Sequence, residues 1–157
     1  MIVKIPRLVR EEYDELIREQ FVSRVIFKGD RYPYVAPFLY VFDGQHIYFL
    51  STNYGKKIEY FKDNPRVAVE IERYTENLSD YKFVVLFGML SEVEDSEKRK
   101  EVRKMFLDLI RYKNLSPNVM KALGHSSDEP PDSIVREERN LVWKLVDVED
   151  IMGFKSG

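Results

Sequence analysis

Apolar side chains recur three and four residues apart at Val9, Tyr13, Leu16 and Ile17, with Glu11, Glu12 and Asp14 in the first turn, where carboxylates favour the helix dipole. The spacing predicts a helix over residues 10–19. From Phe21 the period shortens. Phe21–Phe27 alternates loosely, "KGDR" (28–31) turns the chain, and Tyr32–Phe42 is a long aromatic and β-branched run. Asp43-Gly44 is a hairpin signal, because both residues tolerate the positive φ of a tight turn, and His46–Ser51 is the return strand. Tyr54, Ile58 and Phe61 then form the stripe of a short helix that starts at Gly55. It stops at Asn64-Pro65, since a residue before proline is pushed out of the α region.

Val67, Val69 and Ile71 alternate with Arg66, Ala68 and Glu70 as a half-buried strand. After a polar connection over 73–82, Phe83–Val93 is apolar through Leu90 and is expected to be covered on both faces, with Gly88 marking a bulge or a close approach. Ser96 is placed as the cap of a longer helix whose Val102, Met105, Phe106, Leu109 and Ile110 face the sheet. Residues 114–139 are the least regular, with one short helical piece and then a polar, proline-containing loop. Leu141, Trp143 and Leu145 alternate in a last strand, and "DVEDIMGFKSG" (147–157) reads as a peripheral tail.

Six strands, mostly antiparallel, with a helix between the third and fourth, predict an α+β barrel in a single domain over residues 1–157. Pro33 and Pro37 each remove a ladder donor from the second strand, which calls for an open edge, a bulge or a ligand there.

Composition removes several chemistries. A net charge of −2 supplies no basic field for nucleic acid. The chain has neither a long apolar span nor a secretory leader pattern, so no membrane helix is expected and the cytoplasm is the natural compartment. Without cysteine there are no thiolate ligands or nucleophiles, and His46 and His125 are the only imidazoles, so no metal centre is expected. His125 is expected as a solvated loop side chain and Trp143 as a core residue. Glycine-rich nucleotide loops are absent.

One anomaly remains. Lys56 and Lys57 open a helix at its positive end, where a cation costs roughly 0.3–1 kcal/mol. Either both ammonium groups point into water, or an anion lies between them and the free N–H groups; a phosphate monoester has the right charge and acceptors.

"YPYVAPFLYVFDGQHIYFLSTNYGKKIEYFKDNPRVAVEIE" (32–72) followed by "FVVLFGMLSEVEDSEKRKEVRKMF" (83–106) resembles the FMN-binding split barrel of the pyridoxamine 5′-phosphate oxidase-like superfamily. The resemblance covers about two thirds of the chain and weakens after residue 113. It implies a mostly antiparallel six-stranded split barrel with flanking helices, and a homodimer with FMN at the subunit interface. By this resemblance Val35, Ala36, Pro37 and Phe38 lie along the flavin, Leu50, Ser51 and Thr52 give polar contacts, and Gly55, Lys56 and Lys57 hold the phosphate. The strand from Lys82 and Phe83 to Gly88 reaches the partner's flavin.

The activity implied is FMN-dependent oxidation or reduction of a small molecule, with NAD(P)H as a possible donor. Vitamin B6 oxidases of this type carry an Arg-x-His element near the C-terminus, whereas this chain ends "NLVWKLVDVEDIMGFKSG", closer to the broad subgroup that includes nitroimidazole-resistance-type reductases. The other readings are a non-catalytic barrel holding flavin, deazaflavin or haem, and a cofactor-free dimeric interaction protein.

Overall fold

Alternation along six strands closes a barrel. The computed structural model describes residues 4–157. In chain order the elements are α1 (Arg10–Glu19), β1 (Val22–Phe27), β2 (Tyr34–Phe42), β3 (Ile47–Ser51), α2 (Lys56–Asp63), β4 (Arg66–Tyr74) and β5 (Tyr81–Glu92). They continue with α3 (Ser96–Tyr112), α4 (Val119–Ala122), α5 (Ser133–Arg136) and β6 (Leu141–Lys155). The strands close in the order β1-β2-β3-β6-β5-β4, and every pairing is antiparallel. This is the barrel that the strand and helix order predicts.

Two cores result from the alternation. Inward residues such as Val25, Phe27, Phe38, Phe49, Val69, Ile71, Val84, Leu86 and Trp143 fill the barrel, and α1 adds Leu16 and Ile17. Outward residues of β2, β3 and β6, namely Val41, Tyr48, Leu50 and Val142, are covered by Val102, Phe106 and Ile110 of α3 and by Met120, Leu123 and Ile134 of the 114–139 segment. Among the described residues the outward face of β5 has no such cover: Phe87 is exposed and Phe83, Val85 and Met89 are half-buried. The expected cover on both faces is therefore not met inside the monomer.

Other expectations change in detail. Asp95, not Ser96, caps α3, because its carboxylate accepts from the Lys98 N–H at 3.1 Å. The C-terminal residues are not a tail: β6 runs to Lys155, pairing Asp150–Lys155 with Phe87–Lys82 of β5. Acidic spacing hid the strand, because Asp147, Val148 and Glu149 are looped out opposite Gly88, and Asp147 has a φ of 49°. Gly88 marks both a bulge and a close approach, since a Cβ there would lie 2.8 Å from the Val146 carbonyl oxygen. Segment 114–139 contains two short helices rather than one.

Among the described residues, no helix is long and apolar enough to cross a membrane.

Candidate functional site

The second strand is paired on one side only for most of its length. β3 pairs with β2 over Tyr40–Phe42, leaving Tyr34–Leu39 with β1 alone among the described residues. The Tyr40 N–H donates to the Phe21 carbonyl at 3.0 Å, so ladder alternation turns the backbone of Val35, Pro37 and Leu39 away from β1. Pro37 thus sits where its missing N–H breaks no pair with β1, and Val35 is 52% exposed. Between them, Ala36 and Phe38 point into the barrel and are buried.

Helix α2 stands against this edge and stops the barrel mouth. Ile58 is buried, Tyr60 packs on Tyr34 with ring centroids 5.4 Å apart, and Phe61 packs on Trp143 at 4.8 Å. Its first residue follows Gly55, whose φ of 100° and ψ of 175° belong to a region open almost only to glycine. Among the described residues no side chain caps the helix, so its first N–H groups have no side-chain acceptor.

The two lysines behave differently. Lys56 is exposed. Lys57 folds over the barrel mouth, with its ammonium 5.5 Å from the centroid of the Phe38 ring. Among the described residues it forms no ion pair with a carboxylate, and burial pushes its pKa below the ordinary lysine value.

At the end of β3, Leu50, Ser51 and Thr52 are buried. The Ser51 hydroxyl donates to the Thr52 carbonyl at 2.8 Å, and that of Thr52 donates to the Tyr54 carbonyl at 3.3 Å. Both hydroxyls therefore keep the chain in the bend that leads to Gly55. The structure thus sets Phe38 of β2 beside Lys57, and Ser51 and Thr52 lead into the Gly55 turn at the start of α2, whereas Leu50 faces outward under α3 and the Val35 side chain is exposed. Lys82 and Phe83 do not join them. They line a separate cleft with Arg24, Glu72 and Tyr81, and Phe83 stacks on Phe154 at 5.3 Å.

Two buried polar networks brace the mouth from behind, and neither is anticipated by the sequence reading. Arg103, 1% exposed, donates to the side-chain and main-chain oxygens of Asn140 at 3.0 and 2.7 Å, and to Glu138 at 2.8 Å. Asn140 passes the link on by donating to the Leu123 carbonyl at 2.7 Å. A signal was present: Arg103 lies three and four residues before Phe106 and Leu107, on the inward stripe of α3.

The second network corrects the view of His125 as a solvated loop side chain. It is 5% exposed, and its Nδ1 lies 2.8 Å from Glu129, which also accepts from Ser133 and Arg139. Ser126 followed by Glu129 is half of a capping box, a motif legible in the chain. His125 pulls Glu129 down to about 2, with the Ser126 N–H, Arg139 and Ser133 assisting against the cost of burial. Gly124, whose φ of 84° favours glycine, turns this segment beside Thr52, whose methyl lies 3.7 Å from where a Cβ would stand.

An antiparallel split barrel whose second strand is open beside an uncapped helix start defines a class of fold. The comparisons identify the family within it. Residues 9–130 match the family model described as pyridoxamine 5′-phosphate oxidase, and the chain belongs to that family. An uncharacterised protein of Rhizobium meliloti is 29% identical over 93 residues, a match spanning 59% of this chain and 59% of that curated relative.

Among solved structures, an FAD-binding protein from Mesorhizobium loti superposes with a TM-score of 0.71 at 22% identity, covering 99% of this chain and 100% of that one. A conserved protein from Mycobacterium tuberculosis gives 0.71 at 15% identity, covering 98% and 89%. The FAD-binding protein from Mycobacterium smegmatis gives 0.65 at 13%, covering 96% and 98%. At these identities the likeness is one of fold.

Proposed function

We propose that the chain is a flavin-dependent oxidoreductase that binds FMN at the barrel mouth, between two copies of itself, and acts on a small molecule at the exposed flavin face. The observation that carries this reading is Lys57: a half-buried ammonium without a carboxylate, beside uncapped N–H groups and an open strand edge. A dianionic phosphate would complement each of these features. The FAD-binding relatives and the family membership support a flavin as the molecule that carries it.

Bound FMN would supply hydride chemistry, and the chain would supply position and electrostatics. Gly55, Lys56 and Lys57 hold the phosphate. The outward N–H groups of Val35 and Leu39 alternate with the Pro37 carbonyl along the open edge, a donor and acceptor pattern suited to the polar edge of the ring system. The hydroxyl protons of Ser51 and Thr52 already engage carbonyls, so backbone N–H groups are the better donors toward developing negative charge. Lys82 and Phe83 lie apart from this mouth, which suits a strand that completes the partner's site.

The test is the purified protein and its Lys56→Ala/Lys57→Ala double variant. The parent should carry releasable FMN, and NAD(P)H bleaching followed by reoxidation would distinguish an enzyme from a carrier. The double variant should fold normally and be flavin-free; full FMN occupancy in it would refute the site.

A further inference from the structure

The bend that leads from β3 into α2 has little main-chain support. Among the described residues Thr52, Asn53 and Tyr54 add no hydrogen bond between main-chain groups. Two hydroxyls hold the bend from within, those of Ser51 and Thr52, which donate to the carbonyls of Thr52 and Tyr54. From behind, the buried Thr52 side chain meets the turn at Gly124, where an added Cβ would stand 3.7 Å from the Thr52 methyl and 3.6 Å from the Arg139 carbonyl oxygen. The place of that turn therefore bears on the bend.

Asn140 fixes the turn. Its side-chain amide donates to the Leu123 carbonyl at 2.7 Å, one residue before Gly124. Its own side-chain oxygen accepts from Arg103 at 3.0 and 3.2 Å, and its main-chain oxygen accepts from the same guanidinium at 2.7 Å. Both residues are buried, so these bonds are shielded from water. The next residue, Leu141, pairs with Ser51, which puts Asn140 at the end of the ladder from which the bend departs. The body of α2 has other supports: Ile58 is buried, Tyr60 packs on Tyr34, and Phe61 packs on Trp143. Loss of the Asn140 donor would thus shift the start of the helix without unseating the rest.

We infer that Asn140 is a positioning residue for anion binding at the start of α2. It holds Gly124 against Thr52 and so fixes the bend that aims the first N–H groups of the helix. Donors serve a bound phosphate only when they are held to within about 0.5 Å, and the support behind them sets that precision. This inference rests on the proposed flavin site, and it concerns the phosphate end of the ligand alone.

The experiment measures FMN and riboflavin binding to the flavin-stripped protein, to two single variants and to their double variant. Asn140→Asp keeps the oxygens that accept from Arg103 and removes the donor to Leu123; Thr52→Ser keeps the hydroxyl and deletes the methyl that faces Gly124. The parent should bind FMN at least about tenfold more tightly than riboflavin, which lacks the phosphate. Asn140→Asp should weaken FMN about tenfold and Thr52→Ser about threefold to fivefold, with riboflavin affinity held within about twofold. The double variant should be no weaker than Asn140→Asp by more than about twofold, because both changes break one connection. Unchanged FMN affinity in the variants would overturn the inference and leave the flavin site standing, as would a parallel loss of FMN and riboflavin or a fully additive double variant. Thermal melting checks folding, and if Asn140→Asp does not fold, Thr52→Ser decides by the same criterion. A parent that binds neither flavin, or both equally, would remove the phosphate site and the inference together.

Discussion

Single side chains carry the polar architecture around the mouth, and their burial decides how much each matters. Arg103 is enclosed, while its partner Glu138 is 51% exposed, so the two ends of that ion pair are unequal. Glu138→Gln should cost under about 1 kcal/mol, as for other surface pairs. Arg103→Met removes every donor to the Asn140 oxygens and should cost about 2–4 kcal/mol in urea denaturation. Equal effects of the two substitutions would contradict the network. Glu129 sets a pH dependence. Its folded-state pKa of about 2 lies below the unfolded value, so its contribution is complete above that unfolded value and is lost as pH falls toward 2. The melting temperature should therefore drop between about pH 5 and 3, and Glu129→Gln should start lower and flatten that drop. A parallel decline in parent and variant would assign the acid sensitivity elsewhere.

Elements differ in how plainly the chain announces them. Strands β1 to β4 and helices α1 to α3 follow from period, turn chemistry and proline stops, because each has one buried face and one wet one. The second half of β6 does not, since alternation breaks where Asp147, Val148 and Glu149 loop out, and only β5 across the barrel reveals the pairing. Gly88 is the residue that permits this excursion. Gly88→Ala should cost about 1–3 kcal/mol, because the added methyl meets the main chain of Val146 rather than a yielding side chain. Measured stability within a few tenths of a kcal/mol of the parent would show the bulge to be plastic. The mouth was legible to the same degree. Gly55, Lys56 and Lys57 stand out as a charge placed against a helix dipole, but that Lys57 alone turns inward over Phe38 depends on a contact between α2 and β2 that no local pattern encodes. The buried pairs Arg103–Asn140 and His125–Glu129 were hidden because polar residues in irregular segments read as solvent-facing until packing encloses them.

The barrel as a body is covered unevenly. Helix α3 and the 114–139 segment shield the side made by β2, β3 and β6, whereas β1 and β5 present Val22 at 50% and Phe87 at 37% exposure, flanked by the half-buried Ile26, Ala68, Val85 and Met89. The Arg24 pairs with Glu70 and Glu72 set Val22 apart, and the remaining apolar patch of Ile26, Ala68, Val85, Phe87 and Met89 is of the kind that normally lies against a second surface. In the proposed assembly that surface is another copy of the chain, and the consequence can be measured because β5 has two duties. Its Phe87 lies on the apolar face, and its Lys82 and Phe83, remote from their own barrel mouth, would complete the partner's site. Phe87→Lys places a charge in the proposed seam while leaving every residue of the mouth untouched. Sedimentation should show the parent as a dimer at micromolar concentration and the variant as a monomer. The variant should lose its flavin with the dimer, although Lys56 and Lys57 are intact, and crowding it back into dimers at high concentration should restore part of the yellow colour. A monomeric variant that retains full flavin would mean that one chain builds the site unaided, and β5 would then have no part in a neighbour's chemistry.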